Sequence, residues 1–180
     1  MPGKLSDDSV LTRLQRTHPD ALLTHRLDMA TSGVMVFPRN TEARRHIARQ
    51  FERRHVKKRY IARVWGHVDG SGTIDLPLRC DWPNRPRQMV CHEHGRRAVT
   101  HWKALESGPG SRLVLTPVTG RSHQLRVHCL AMGHPIIGDR IYAHEEAFLA
   151  GDRLMLHAEC LTIRHPVGGA PTDLESPCPF

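Results

Sequence analysis

His25-Arg26-Leu27-Asp28-Met29-Ala30-Thr31-Ser32-Gly33-Val34-Met35-Val36-Phe37 decides how the rest of this chain is read. The apolar run Val34 to Phe37 predicts a strand anchored in a core, and Thr31-Ser32-Gly33 predicts the turn that feeds it. A loop mounted on a buried strand is held still, so the Asp28 carboxylate, next but one to Arg26, can be aimed at a substrate. By itself, an aspartate ahead of a Thr-Ser-Gly turn is also an ordinary turn or cap residue, and spacing alone leaves both readings open.

Upstream of this stretch, Asp7 or Asp8 is expected to cap a short helix through Val10, Leu11 and Leu14 that Pro19 closes. Downstream, Asn40 or Thr41 starts a helix with Ala43, Ile47 and Phe51 along one face and Arg44, Arg45, Arg49, Arg53 and Arg54 on its other surfaces. From Lys57 the period becomes two, with Tyr60, Ala62 and Val64 on one side of a strand and Ile61, Arg63 and Trp65 on the other. Turns at Asp69-Gly70-Ser71-Gly72, Gly95 and Ser107-Gly108-Pro109-Gly110 divide further strands at Gln88 to Cys91, Ala98 to Leu105 and Leu113 to Leu115. Ser122 reads as the N-cap of a helix burying Leu125, Cys129 and Met132, followed by a short helix at His144 to Leu149 and a strand from Leu154 to Ile163. Strands outnumber helices without alternating with them, which predicts an α+β fold with a mixed, largely antiparallel sheet.

Composition narrows the partner. A chain of 180 residues with 39% hydrophobic content is expected to bury one core, so a single domain over residues 1–180 is the expectation. Lys plus Arg number 26 against 18 Asp plus Glu, a net charge of +8 that favours a polyanion through phosphate contacts. Cys80, Cys91, Cys129, Cys160 and Cys178 show no paired spacing, so reduced thiols are expected rather than a disulfide framework or a thiolate zinc site. Cys91-His92-Glu93-His94 places two imidazoles on one strand face, but no third ligand lies nearby in sequence. No apolar run approaches a membrane span and the first residues carry no leader pattern, so a cytoplasmic location without membrane or obligate protein partners is expected.

The opening stretch resembles the signature loop of the ribosomal large subunit pseudouridine synthase A family, in which the string HRLD-x-x-TSG carries the catalytic aspartate. Lys58-Arg59-Tyr60-Ile61-Ala62 is similar to that family's tyrosine motif, Thr119-Gly120-Arg121-Ser122-His123-Gln124-Leu125-Arg126 to its arginine motif, and Leu156-His157-Ala158 to a later block. Asp81-Trp82-Pro83-Asn84-Arg85-Pro86 also looks like the synthase A subgroup. The resemblance covers nearly the whole chain. It implies the pseudouridine synthase fold with a central cleft and flanking helices, structured RNA as the partner (stem-loops of large-subunit rRNA, tRNA or both), and no cofactor or metal.

Pseudouridine formation cuts the bond from uracil N1 to C1′, turns the base and rejoins C5 to C1′, so one carboxylate can suffice. An aspartate is ionised at neutral pH and can attack the sugar or the base. Attack at C1′, attack at C6 and passage through a glycal all remain open. The resemblance implies that Arg126 supports Asp28 ionically, that Tyr60 stacks on the uracil and accepts a sugar proton, and that Arg26 fills the space left by the flipped base. Arg121 and Gln124 are then expected at the flipped nucleotide or its phosphates, while His25 and His123 are structural. Trp82 and Arg85, stiffened by Pro83 and Pro86, can stack on an RNA loop.

Relatives usually carry a strand and a Lys-Pro-Ser/Ala-Gly motif upstream of a segment like Pro2-Gly3, and this chain is read as lacking that part and any appended RNA-binding domain. Two rivals follow. One is a catalytically impaired RNA-binding module on the same scaffold. The other is a glycosidic hydrolase, which wants a second placed carboxylate beside Asp28.

Overall fold

In a computed structural model that describes residues 8–180, the chain gathers into two compact units. One holds the described part of Met1–Arg26 together with Met35–Val56 and Thr162–Asp173; the other holds Leu27–Val34, Lys57–Leu161 and Leu174–Phe180. Asp7 and the Pro2-Gly3 segment lie outside the described residues.

The first unit carries two helices. Helix α1, Val10–Gln15, is capped by Ser9 and not by Asp8: Ser9 Oγ accepts from Thr12 N at 3.1 Å while Thr12 Oγ1 accepts from Ser9 N at 2.8 Å. Such a reciprocal cap satisfies two helix-start donors, which leaves Asp8 to pair with Arg13. Helix α2, Thr41–Glu52, starts as expected at Asn40, whose Oδ1 accepts from Ala43 N at 2.8 Å. Gln50, buried in α2, uses its amide like a peptide: it donates to Arg164 O at 2.8 Å and accepts from Arg164 N at 2.7 Å. His25 accepts from Val36 N at 3.0 Å and stacks on Phe51 with ring centroids 4.7 Å apart, which is a structural role.

The expected strand at Val34 to Phe37 is not a ladder. Only Ser32–Gly33 pairs in the sheet, as β1, and Val34 to Phe37 run on half-buried. The anchor of the signature loop is therefore the pairing of β1 with β8, Leu156–Arg164, in parallel register Ser32 to His157 and Gly33 to Ala158. Gly33 adopts φ +118, and a Cβ there would lie 2.2 Å from Ala158 O, so only glycine permits this approach.

The second unit carries most of a mixed sheet built from β2 (Lys57–Arg63), β3 (Ser71–Asp75), β6 (Val99–Glu106), β7 (Arg112–Pro117) and β8. Its order is β1-β8-β2-β7-β6-β3, with β9, Pro171–Glu175, also against β8; β2, β7, β6 and β3 pair antiparallel in turn. Strand β9 escapes a pattern reading because it is short, begins on proline and alternates no apolar face. A separate hairpin joins β4, Leu78–Cys80, to β5, Gln88–Val90, across a loop with a 3-10 turn at Trp82–Asn84. Cys91 to His94 follow as a turn rather than on a strand face, closed by Gly95 N to Cys91 O at 2.9 Å, so the two imidazoles do not share a face.

Helix α3, Gln124–Ala131, is the pivot of this unit. Leu125 and Cys129 pack with Ala62, Leu113 and Leu115 of the sheet, while Val127 packs with Leu78, Ala98 and Tyr142. A helix covered on both flanks buries its polar positions too, and Gln124, Arg126 and His128 are all buried. The expected cap at Ser122 is wrong by one residue: His123 holds that place in a left-handed conformation at φ 52, with no side-chain cap bond. The short helix α4, Glu145–Leu149, starts as expected at His144.

Candidate active site

Asp28 stands at the entry to β1. Thr31 N donates to Asp28 O at 2.9 Å and closes a turn over Met29 and Ala30, so the carboxylate is presented from a loop pinned on its far side by β8. Arg126, nearly a hundred positions later and one turn into α3, brings its Nη1 to 3.9 Å from Asp28 Oδ2. Its side chain is 6% exposed and that of Asp28 20%, which leaves the carboxylate the accessible member of the pair.

The tighter partner of Arg126 is Asp139, a residue the sequence reading missed. Arg126 Nε donates to Asp139 Oδ2 at 2.7 Å and Nη2 to Oδ1 at 2.6 Å, a two-pronged pairing that fixes the guanidinium plane. Asp139 Oδ1 also accepts from Ile141 N at 2.9 Å and Tyr142 N at 3.2 Å. With Nε and Nη2 committed, Nη1 is the edge left for Asp28. Burial works against the charge on Arg126, yet Asp139, with Asp28 adding to it, raises its pKa above the ordinary arginine value. Behind the guanidinium lies the Tyr142 ring, 4.9 Å from Arg126 Cζ, whose hydroxyl accepts from Gln88 N and meets His123 Nδ1 at 2.7 Å. A sequence signal for Asp139 did exist, an acid directly after Ile136-Ile137-Gly138; in the structure Gly138 has φ +73 and a Cβ there would meet Arg153 O at 1.8 Å, so the position requires glycine.

Tyr60 projects from β2 against the core cluster that includes Ala62 and Leu125. Burial, reinforced by the negative charge of Asp28, pushes its phenol up to about 12. The ring is therefore neutral across the physiological range. Sign matters for stability: a group whose folded pKa is raised favours the fold below its unfolded value and loses that contribution as pH climbs to the folded one. Burial likewise pushes the Cys129 thiol up to about 12. Unfolding midpoints measured by circular dichroism should hold steady up to about pH 9 and then fall progressively between about pH 9 and 12; Tyr60→Phe should flatten the upper part of that decline.

A family model described as RNA pseudouridylate synthase matches residues 5–131. The chain belongs to the RNA pseudouridylate synthase family. It is 54% identical over 185 residues to the dual-specificity RNA pseudouridine synthase RluA of Escherichia coli (strain K12), covering 100% of this chain and 84% of that protein. Identity to the RluA of Vibrio vulnificus (strain CMCP6) is 49% over 189 residues, covering 100% of this chain and 76% of that one. Among solved structures, human RNA pseudouridylate synthase domain containing 1 superposes with a TM-score of 0.84 at 32% identity, over 94% of this chain and 74% of that one. The α+β fold with a mixed sheet and the assignment as an isomerase acting on RNA both follow.

For this RNA pseudouridylate synthase, the expected nucleotide-contacting residues are placed unevenly. Gln124 is consumed inside the fold: its Nε2 donates to Val99 O and Thr100 Oγ1, both at 3.0 Å, and its Oε1 accepts from Thr119 Oγ1 at 2.7 Å and Arg121 N at 3.0 Å. All four bonding positions of the amide are used, so Gln124 shapes the arginine-motif loop instead of reaching a nucleotide. Arg121 Nε donates to Arg97 O at 3.1 Å, and Arg26 is exposed two positions before Asp28 in the chain. Trp82 is 62% exposed, with the Arg85 guanidinium 4.5 Å over its ring, so this loop presents a flat cationic platform. Among the described residues no helix is long and apolar enough to cross a membrane.

Proposed function

We propose that this chain converts particular uridines in stem-loops of large-subunit rRNA, tRNA or both into pseudouridine, with Asp28 as the covalent nucleophile. The supporting observation is the 3.9 Å approach of Arg126 Nη1 to Asp28 Oδ2, an accessible carboxylate held beside a buried, orientation-locked cation. The dual specificity in the name of the Escherichia coli relative supports a reading with two RNA classes.

Extruding the target uridine costs a few kcal/mol of stacking. Arg26 fills the vacated space and Arg121 meets the nucleotide's phosphates. Asp28 joins the nucleotide covalently and the bond from N1 to C1′ breaks; the base turns, C5 bonds to C1′, the proton on C5 leaves, the freed N1 takes up a proton, and Asp28 is released. No atom is gained or lost and no net oxidation occurs overall, so no oxidant or reductant is consumed. Tyr60 lies against the uracil ring. Because its phenol is protonated near neutrality, it works as a relay rather than a standing base: on a glycal route it takes the sugar proton only by passing its own on, and a proton returns to the sugar as C5 bonds to C1′.

The Trp82 and Arg85 loop takes part in RNA recognition. Stacking of one base on an aromatic ring contributes about 1–3 kcal/mol. Trp82→Ala should therefore raise KM for a stem-loop substrate roughly tenfold at unchanged kcat, and a loss of kcat at unchanged KM would remove the loop from recognition. We place the protein in the cytoplasm with its RNA. Mapping pseudouridines in RNA from cells with and without the gene tests the whole reading: sites that vanish without it name the substrate, and an unchanged map refutes the activity.

A further inference from the structure

Two blocks of the sequence that the chemistry does not use directly, Ser32-Gly33 and His157-Ala158, turn out to be one contact. They face each other as the parallel pair β1 and β8, and the backbones approach closely because residue 33 is glycine. The side chains add a second tie. Ser32 Oγ lies 2.8 Å from His157 Nδ1, and His157 Nε2 lies 2.8 Å from Ser176 O.

The chemistry of the Ser176 partner fixes one nitrogen of the ring. A carbonyl oxygen can only accept, so Nε2 carries the proton donated to Ser176 O, and in the neutral ring Nδ1 offers a lone pair to the Ser32 hydroxyl. His157 is 3% exposed. The segment from Leu174 to Phe180 that supplies the carbonyl is itself held: Ser176 N donates to Glu159 O at 2.9 Å, the Phe180 ring meets the imidazole edge-on at 6.4 Å between centroids, and Arg153 lies 5.9 Å over Phe180.

We propose that His157 is a positioning residue for Asp28: a single imidazole tautomer, selected by the Ser176 carbonyl, grips the Ser32 hydroxyl and so sets the angle at which the signature loop presents its carboxylate. This rests on the function proposed above. Ser32 follows Asp28 by one tight turn, so a tilt at Ser32 moves the carboxylate relative to Arg126. Misplacing a reacting group by about 1 Å can cost about a hundredfold in rate, and loss of one tie among several costs less.

The side chains that test it differ in which ring nitrogen they replace. Asparagine can offer Oδ1 where Nδ1 stood and keep the Ser32 bond; glutamine can place an N–H where Nε2 stood and keep the Ser176 bond but not the Ser32 bond. Ser32→Ala and His157→Gln should each lower kcat about tenfold with KM for RNA unchanged, the double variant should fall no further, and His157→Asn should stay within about threefold of the parent. Additive losses, unchanged kcat, a change confined to KM, or His157→Asn as poor as His157→Gln would each overturn the proposal. Long-range proton–nitrogen NMR of the imidazole decides it independently of turnover: a proton on Nε2 and a Nδ1 resonance that moves in Ser32→Ala support it, and a proton on Nδ1 overturns it. A parent chain without turnover would refute the proposed function instead, with the NMR result still standing.

Discussion

Asp28→Asn should abolish pseudouridine formation, lowering kcat by about 10⁴-fold or more, while the affinity for RNA stays within about twofold. The substitution keeps the size of the side chain and removes the charge and the nucleophilic oxygen. It should not unfold the protein, because Arg126 does not depend on Asp28 for its principal pairing: both Nε and Nη2 are bound to Asp139 at 2.7 and 2.6 Å, whereas Asp28 stands at 3.9 Å. Losing so loose a contact to a partly exposed carboxylate costs on the order of 1 kcal/mol at most. Tritium release from RNA labelled at uridine C5 reports turnover, and gel retardation of the same RNA reports binding. Parental turnover by the variant would remove Asp28 from the chemistry, and a loss of binding equal to the loss of turnover would make it a recognition residue.

The same pair shows what a sequence can and cannot disclose. Asp28, Tyr60 and Arg126 could be singled out as candidates because each sits in a block whose neighbours are also diagnostic, and helix α2, the hairpin at Ser107 to Gly110 and the α+β class followed from period and turn residues, whereas the reversal at Gly95 leads from β5 of the two-stranded sheet to β6 of the large one without pairing them. Two kinds of feature were not legible. Short pairings such as Ser32–Gly33 leave no periodicity, and the apolar run beside them drew attention as a strand although only half-buried. Polar residues in a helix normally mark a solvated face, but α3 is packed on two sides, so Gln124, Arg126 and His128 are all inside, each with its own acceptor or donor. Gln124 binds the arginine-motif loop, Arg126 binds Asp139, and His128 meets Thr100 Oγ1 at 3.0 Å and Leu76 O at 3.2 Å. Burial also holds His128 below the ordinary histidine pKa, so it is carried as a neutral ring. The two His128 pairings join residues 28 and 52 positions apart, and local pattern holds no record of them.

Asp139→Asn should be the most destabilising conservative change in the larger unit, and its cost should be largely reversed by a second substitution that leaves the enzyme inactive. Asp139 is 1% exposed and neutralises a guanidinium whose side chain is 6% exposed. Removing one member of a buried ion pair strands the other, at about 3–5 kcal/mol. Asparagine can still accept from Ile141 and Tyr142 N–H through Oδ1, so the turn they belong to survives, but its amide N–H then faces the Arg126 donor. In Arg126→Met combined with Asp139→Asn the stranded charge and the opposed donors are both gone, and the methionine stem can lie where the arginine stem packed, so the double variant should recover most of the loss in urea unfolding. Turnover should nevertheless be abolished in the double variant, because Asp28 has lost the cation that orients it. Should the double variant be as unstable as Asp139→Asn alone, the pair would not be coupled as its geometry requires. Should it retain parental turnover, Arg126 would be a structural cation and nothing more, and Asp28 would have to work from the loop's rigidity alone.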